Sequence, residues 1–376
     1  MLTLIQFEGK PRLFRDPERV IDCRRANEIP LALEQMEKEL ARGRFLAGFL
    51  SYEAGYAFEE ELKEEKKYDF PMLQFGVYAH PLHDLPLIRG KMPERSKAQG
   101  VKNISVNVIF PDYSNRIGVI RSQIAAGNTY QITYCVKYRF TFSGDPFSLY
   151  RELLNEQPVP YPAYIRSDDL AILSLSPEMF VRKQGRELTV KPMKGTWPRG
   201  KDRWDDLWVK RRLHLDPKNR AENVMIADLL RNDLGKISVP GSVVTPKLFE
   251  VARYRTLCQM TSTVRGRICH RTGIYDILKA LFPSGSVTGA PKVSAMKLIK
   301  NLEGEERRIY TGAIGFITPE KDMFFNVPIR TLLLHPSPSL PYYEGEMGVG
   351  GGIVWDSTAE GEWEECRIKA GFLVSR

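Results

Sequence analysis

The chain has 376 residues, 43% of them hydrophobic and 27% charged, and 55 lysines and arginines against 46 aspartates and glutamates leave a net charge of +9. This is globular composition with material for a large core, and it excludes a disordered, collagen-like or low-complexity chain. A basic balance suits nucleic acid or a small anionic substrate equally well, and no apolar run approaches the ~18 residues of a membrane helix.

At roughly 150 residues per domain, length alone allows two or three domains. The opening MLTLIQFEGKPRLF has no basic segment ahead of an apolar core and does not read as a secretory signal. The five cysteines, at 23, 135, 258, 269 and 366, contain no CxxC, so reduced thiols in a cytoplasmic protein are expected. The first hundred residues read as strands and short helices, with a strand over Gln74–His80. Glu59–Lys67 (EEELKEEKK) mixes both signs and reads as a solvated helical face. His80 and His83 have a spacing a metal could use but no third ligand nearby, so a surface loop is expected. Asp84–Asn103 carries Pro, Gly, Lys and Arg with little periodicity and reads as a connector.

Beyond that point the patterns sharpen. Tyr113, Ile117, Ile120 and Ile124 repeat at helical spacing, and Gly127-Asn128 ends that helix. A long strand follows. Tyr130, Ile132, Tyr134, Val136, Tyr138, Phe140 and Phe142 share one face; Gln131, Thr133, Cys135, Lys137, Arg139 and Thr141 share the other. Such a strand suits a large, mostly antiparallel sheet packed on another layer. Ala171–Ser176 and Glu187–Val190 read as two more strands, joined by a turn at Gln184-Gly185. With helices over 217–234, 290–302 and 360–370, the fold class is α+β.

Several segments could carry chemistry. Asp216 is a good helix N-cap and Pro217 a good first helical residue, and on that helix Glu222 shares a face with Ile226 and Leu229. Glu362, Glu365 and Lys369 also share a face. Either carboxylate group could be an ordinary ion-pairing residue, and Glu365–Lys369 an exposed pair. Two carboxylates from distant segments plus water would equally suit Mg²⁺. In GSVTGAPKVSAMKLI, Ser286 and Thr288 can cap a helix whose first-turn N–H groups, helped by Lys292, would attract an anion. The glycines of GVGGGIVWD either form a tight turn or let backbone amides approach a ligand. Lys194, in KPMKGTWPRG, has the parity of Leu188 and Val190 if the preceding strand continues past Pro192. A lysine on a partly buried face has a depressed pKa and can act as nucleophile or base; the alternative is a turn lysine before Gly195. No GxxxxGK[ST], HExxH or GxSxG is present.

Taken in order, AAGNTYQITY (125–134), SLSPEMF (174–180), KPMKGT (191–196), RAENVMIADLLRNDLG (220–235), TSTVRG (261–266), SGSVTGAPK (284–292), YTGAIGF (310–316), IRT (329–331) and GGGIVWDS…EWEECRIKA resemble the chorismate-utilising enzymes. That family includes anthranilate, isochorismate and salicylate synthases and the large component of aminodeoxychorismate synthase. The likeness covers about 105–376. LSYEAGY (50–56) looks like the corresponding region of the aminodeoxychorismate synthases. The resemblance implies two large, mostly antiparallel β-sheets packed as a sandwich with helices outside. Residues 1–103 would be the N-terminal region of the same compact unit and 104–376 the chorismate-binding catalytic region.

The resemblance also implies roles. KPMKGT is similar to a PIKGT motif whose lysine adds to C2 of chorismate, and isochorismate-type members carry a water-activating lysine where this chain has Gln131. Lys194 would then be the nucleophile and Glu178 the general acid/base. Glu222 and Glu365 would hold Mg²⁺, and Gln131, Thr288, Gly289, Tyr310, Arg330, Gly351 and Lys369 would contact substrate. Gln259 stands where many members have a histidine that assists the departing 4-hydroxyl; it can hydrogen-bond but not protonate. The expected reaction takes chorismate and ammonia to 4-amino-4-deoxychorismate. No glutamine amidotransferase segment is recognisable, so ammonia would come from a separate glutaminase subunit. The nearest alternative is anthranilate synthesis, against which Lys194 argues. A basic nucleic-acid-binding protein is the alternative from another class; the basic residues are dispersed, densest at Lys210–Arg212, so no nucleic-acid or membrane partner is expected.

Overall fold

The computed structural model describes residues 1–83, 100–254, 257–337 and 342–374. Two antiparallel sheets form the body. One has nine strands in the order Gly289–Ala290, Gln131–Ser143, Tyr342–Ile353, Thr331–Pro336, Ala171–Ser176, Tyr161–Arg166, Leu2–Ile5 and Arg12–Phe14, with Gly100–Val106 also paired to Gln131–Ser143. The other has ten, in the order Met193–Pro198, Leu257–Arg267, Glu187–Lys191, Met179–Gln184, Met323–Asn326, Ala313–Ile317, Phe45–Leu50, Leu73–Tyr78 and Arg19–Cys23, with Val244–Arg253 also on Leu257–Arg267. Strands from the first eighty residues therefore enter both sheets.

The space between the sheets is apolar at one end. There Phe7 meets Phe324 at 4.9 Å between ring centroids, and Phe14, Phe49, Phe316 and Leu333 complete a buried cluster drawn from both sheets. At the other end the contents are polar. Gln131–Ser143 turns its apolar face outward beneath helices: Tyr134 packs on Tyr113 of the helix Phe110–Ala125, and Tyr113 on Trp363 of the helix Ala359–Val374. Its polar face points between the sheets, yet Gln131, Thr133, Cys135 and Lys137 are buried. Strict alternation thus marks a strand buried on both sides, because the polar side is roofed by the second sheet rather than by water.

Three other expectations change. Glu59–Lys67 holds one 3₁₀ turn, Glu60–Leu62, instead of a helix. Leu62 anchors that turn in the core, and no apolar residue follows until Tyr68 to hold further turns. The expected connector Asp84–Asn103 lies mostly outside the described residues, and its end begins the strand Gly100–Val106. Between Ala171–Ser176 and the turn at Gln184-Gly185 stands another strand, Met179–Gln184, and the chain changes sheet at Ser176–Met179.

One buried guanidinium ties the polar end together. Arg307, 3% exposed, donates to both carboxylate oxygens of Glu303 at 2.6 and 2.8 Å, to the carbonyls of Thr133 (2.6 Å) and Val287 (2.8 Å), and to Thr311 Oγ1 (3.2 Å). Glu303 also accepts the N–H of Cys135 at 2.9 Å, and the Tyr52 ring lies 4.4 Å from the guanidinium. Removing one partner of such a pair strands the other in low dielectric at a cost of about 3–5 kcal/mol. Arg307→Ala should lose about that much in urea unfolding, whereas Arg139→Ala, whose 2.7 Å pair with Glu305 is largely exposed, should lose under about 1 kcal/mol. Equal losses in the two variants would contradict this ranking.

Candidate active site

The strand Glu187–Lys191 does continue past Pro192. Val190 opposes Val264, Met193 opposes Thr261 and Lys194 opposes Met260 in one unbroken register, and Ser262 N–H donates to the Pro192 carbonyl at 3.1 Å. Lys194 therefore keeps the inward parity of the buried Leu188 and Val190. The register slips immediately afterwards, at Gly195, whose φ of +74° is open to glycine and whose missing Cβ would strike Asn219. A bulge with a glycine in the left-handed region ends the straight run and aims the lysine off it.

Opposite Lys194 the first sheet has been stripped of side chains. Gly348, Gly350 and Gly352 alternate along Tyr342–Ile353, so their missing side chains fall on one face. A Cβ on Gly352 would lie 2.8 Å from Gln131 Nε2 and 2.9 Å from Lys194 Nζ, and one on Gly348 only 2.3 Å from the Tyr310 ring. The glycine run is thus part of a strand and not a tight turn. It is a strand face vacated so that a lysine from one sheet can reach a glutamine on the other.

The groups gathered here are short of partners. Among the described residues, Lys194 Nζ makes no hydrogen bond or ion pair, and burial pulls its pKa down, while Glu222, Glu178 and Glu365 push it back up and Lys369 lowers it further. Both amide atoms of Gln131 are buried without a hydrogen bond. Arg330, backbone at φ 51°, has no carboxylate partner among the described residues, and burial lowers its pKa also. It directly precedes Thr331–Pro336, the strand that pairs with the glycine strand. Tyr310 is buried against Gly348 and hydrogen-bonds Cys135. An amine without a partner among the described residues, beside an unsatisfied amide in a desolvated space, is costly for folding and suited to an anion.

Glu178 is buried on the turn between the two sheets. Burial pushes its pKa up to about 7, against a hydrogen bond from Ser286 and the charge of Lys194, which hold it down. That places a carboxyl where it can both give and take a proton near neutrality.

Glu362, Glu365 and Lys369 project from Ala359–Val374 toward the glycine strand. A Cβ on Gly351 would sit 2.4 Å from Glu362 Oε2, so Gly351 faces these carboxylates and not Gln131. Lys369 Nζ bridges Glu365 (2.7 Å) and the Gly350 carbonyl (2.7 Å). The Glu362 carboxylate accepts at one oxygen from Ser357 (2.7 Å); its other oxygen is buried and unsatisfied. Its pKa is raised, first by burial and also by repulsion from Glu365, which a cation would relieve. Glu222, from Pro217–Gly235, is close enough to act on Lys194. Among the described residues no three His, Cys, Asp or Glu side chains form a complete metal cage. Hard carboxylate oxygens with open positions suit Mg²⁺, which keeps water and ligand oxygens in its shell.

Other sequence-based assignments move. Lys292 is not aimed at an anion: it is buried in an ion pair with Asp233 (2.7 Å) and donates to the Ala280 carbonyl (3.0 Å). Neither Ser286 nor Thr288 caps the helix Lys292–Glu303. Ser286 bonds Glu178, and Thr288 Oγ1 donates to the Ser284 carbonyl at 3.0 Å while its own carbonyl accepts Thr133 N–H at 2.7 Å. Gly289 pairs with Ile132, fixing this loop beside Gln131. His80 and His83 are exposed loop residues. The contacts of Ser286 and Arg307 are not legible from spacing, since each depends on a partner far away in the chain.

The vacated face gives a two-sided expectation. In Gly352→Ala the methyl meets only the mobile ends of Lys194 and Gln131, so the thermal midpoint should hold while kcat/KM falls by on the order of ten- to a hundredfold. In Gly348→Ala it meets the Tyr310 ring, and stability should fall by about 1–3 kcal/mol. Full activity in Gly352→Ala would count against a site at this spot.

The family model described as chorismate binding enzyme matches residues 9–375. The chain is 32% identical over 349 residues to the protein named aminodeoxychorismate synthase component 1 of Klebsiella aerogenes, covering 87% of this chain and 76% of that one. It is 35% identical over 280 residues to the anthranilate synthase component 1 of Aquifex aeolicus (strain VF5), covering 74% of this chain and 55% of that one. The crystal structure of anthranilate synthase component I from Streptococcus pneumoniae TIGR4 superposes with a TM-score of 0.77 at 25% identity, over 98% of this chain and 89% of that one. The chain belongs to the chorismate binding enzyme family.

Proposed function

We propose that the chain is the chorismate-aminating component of an aminodeoxychorismate synthase, acting in 4-aminobenzoate and folate synthesis. The observation that carries this reading is Lys194: an amine withdrawn from water, without an ion-pair partner among the described residues, on a KPMKGT strand facing Gln131. The relatives named component 1 support it, as does their need for a second component. Residues 104–376 supply the proposed catalytic groups, and 1–103 complete both sheets around them.

In this mechanism neutral Lys194 adds to C2 of chorismate, the ring double bonds shift, and the C4 hydroxyl leaves as water with the proton held by Glu178. Ammonia then adds at C4, the electron shift reverses, and Lys194 leaves C2. Chorismate and ammonia give 4-amino-4-deoxychorismate and water. Arg330 and Tyr310 would hold the carboxylates, helped by the Thr288–Gly289 loop, Gly351 and Lys369, and Gln131 would use its unsatisfied amide on the substrate. Glu222 and Glu365, with Glu362 beside them, would hold Mg²⁺, whose charge would polarise the ring carboxylate. Gln259 cannot donate an acid proton, which leaves that task to Glu178. Ammonia would come from a separate glutaminase subunit. A cytoplasmic location fits the reading, and among the described residues no helix is long and apolar enough to cross a membrane.

Anthranilate synthesis is the second reading, favoured by the Aquifex and Streptococcus likenesses. Product identity separates the two. Chain, chorismate, Mg²⁺ and ammonium should yield 4-amino-4-deoxychorismate by chromatography with mass detection, with far less from Lys194→Ala and none after chelation. Anthranilate as product would overturn the proposal while leaving the family intact. The reactive pair carries one proton between Lys194 and Glu178, so kcat/KM should be bell-shaped in pH. Glu178 dominates the acid limb near 7 and Lys194 the alkaline limb, below the usual lysine range. Glu178→Gln should remove the alkaline limb, leaving one limb on which activity rises as Lys194 loses its proton, and cost about a hundredfold in kcat.

A further inference from the structure

Glu178 stands at the end of a row of buried hydroxyls. Ser286 Oγ donates to Glu178 Oε1 at 2.5 Å, and Ser284 Oγ lies 2.9 Å from Ser286 Oγ. All three residues are buried. A hydroxyl has one proton, so when Ser286 gives its own to Glu178, Ser284 must be the donor to Ser286. The row then has a single direction, Ser284 to Ser286 to Glu178. The backbone fixes both ends: the Ser284 carbonyl accepts from Thr288 Oγ1, and Glu178 N–H donates to Ser176 Oγ at 3.1 Å while Ser176 donates to the Val327 carbonyl at 2.5 Å. Glu178 Oε2, by contrast, makes no hydrogen bond with any described residue.

We propose that Ser286, backed by Ser284, is a positioning residue for the proton on Glu178. It holds Oε1 as a fixed acceptor, so the exchangeable proton resides on Oε2, the oxygen left for substrate. The inference rests on Glu178 being the acid/base group. The other titratable neighbours acting with Glu178 are Lys194, from Met193–Pro198, and the phenol of Tyr161, from Tyr161–Arg166. Tyr161 is neutral near pH 7, leaving Lys194 as the charge that favours the carboxylate. Ser286 favours it too, and Ser284 strengthens that bond by polarising Ser286. Losing either hydroxyl must therefore raise the pH at which Glu178 titrates.

The test is an infrared pH titration of the Glu178 carboxyl, read as the difference between each enzyme and its Glu178→Gln counterpart, alongside pH–rate profiles. Ser286→Ala should move the titration upward by about one pH unit, with the acid limb of kcat following it. Its kcat should fall about tenfold and KM for chorismate change less than about twofold. Ser286→Thr, which keeps the hydroxyl, should restore both, and Ser284→Ala should shift the titration by less in the same direction. An unmoved titration in Ser286→Ala, or equal impairment of the Ala and Thr variants, overturns the proposal. Should Ser286→Ala fail to fold, Ser284→Ala decides: a shift supports the row and no shift refutes it. A titration that moves while Glu178→Gln turns over normally keeps the hydroxyl row and removes Glu178 from the chemistry.

Discussion

The polar end of this sandwich depends on one buried ion pair. Arg307 and Glu303 between them hold the backbone at Thr133, Cys135 and Val287 and the side chain of Thr311, so the long strand, the loop leading to Thr288 and the segment carrying Tyr310 meet at a single guanidinium. Bidentate geometry matters: both carboxylate oxygens are used, and the remaining N–H groups find two carbonyls and the Thr311 hydroxyl, so the charge is buried with its hydrogen-bonding capacity spent. A lysine could not make these contacts in the same plane. Glu53 extends the anchor by accepting the N–H groups of Arg307 at 2.6 Å and Arg308 at 3.1 Å. A residue from the N-terminal SYEAGY stretch thus braces a segment more than two hundred residues away.

Within that frame the candidate site is made by subtraction. Two sheets facing each other normally interdigitate side chains, as Phe7, Phe14, Phe316 and Phe324 do at the apolar end. At the other end alternate glycines remove one layer of side chains, and the space they leave admits Lys194 and Gln131. Such an arrangement sacrifices packing and leaves polar atoms unsatisfied, which is where a folded protein departs from its own stability rules in favour of chemistry. The orphan amide of Gln131 and the unpaired amine of Lys194 are the visible cost.

Electrostatically the site divides into two. Lys194, without a partner among the described residues, lies on the side of the vacated strand that faces the second sheet, where an anion would neutralise it. Carboxylates without enough cations lie toward the helix Ala359–Val374, where Glu362 and Glu365 repel one another. Glu178 lies near Lys194, its proton affinity raised by burial and moderated by Ser286 and Lys194. Substrate and cation would each relieve strain that the protein alone retains, so binding energy is built into the unbound fold.

Sequence by itself determined the family, the α+β class and most of the long elements, because strand alternation and the helical repeat are local properties of consecutive residues. The helix Phe110–Ala125, the strand Gln131–Ser143 and the Asp216 cap, which accepts Asn219 N–H, all follow from spacing. Even the parity of Lys194 was local, given that Pro192 did not break the register. What only tertiary structure decided was which face turned inward and which partner each polar group took. Alternation along the long strand separates its two faces but does not say that the polar one is buried as well. Lys292, an anion ligand by sequence, is paired with Asp233 fifty-nine residues away; Ser286, a helix cap by sequence, is bonded to Glu178. Those outcomes depend on contacts between segments whose separation in sequence carries no signal of their distance in space, and hydrogen-bond direction and desolvation are set only once those contacts form.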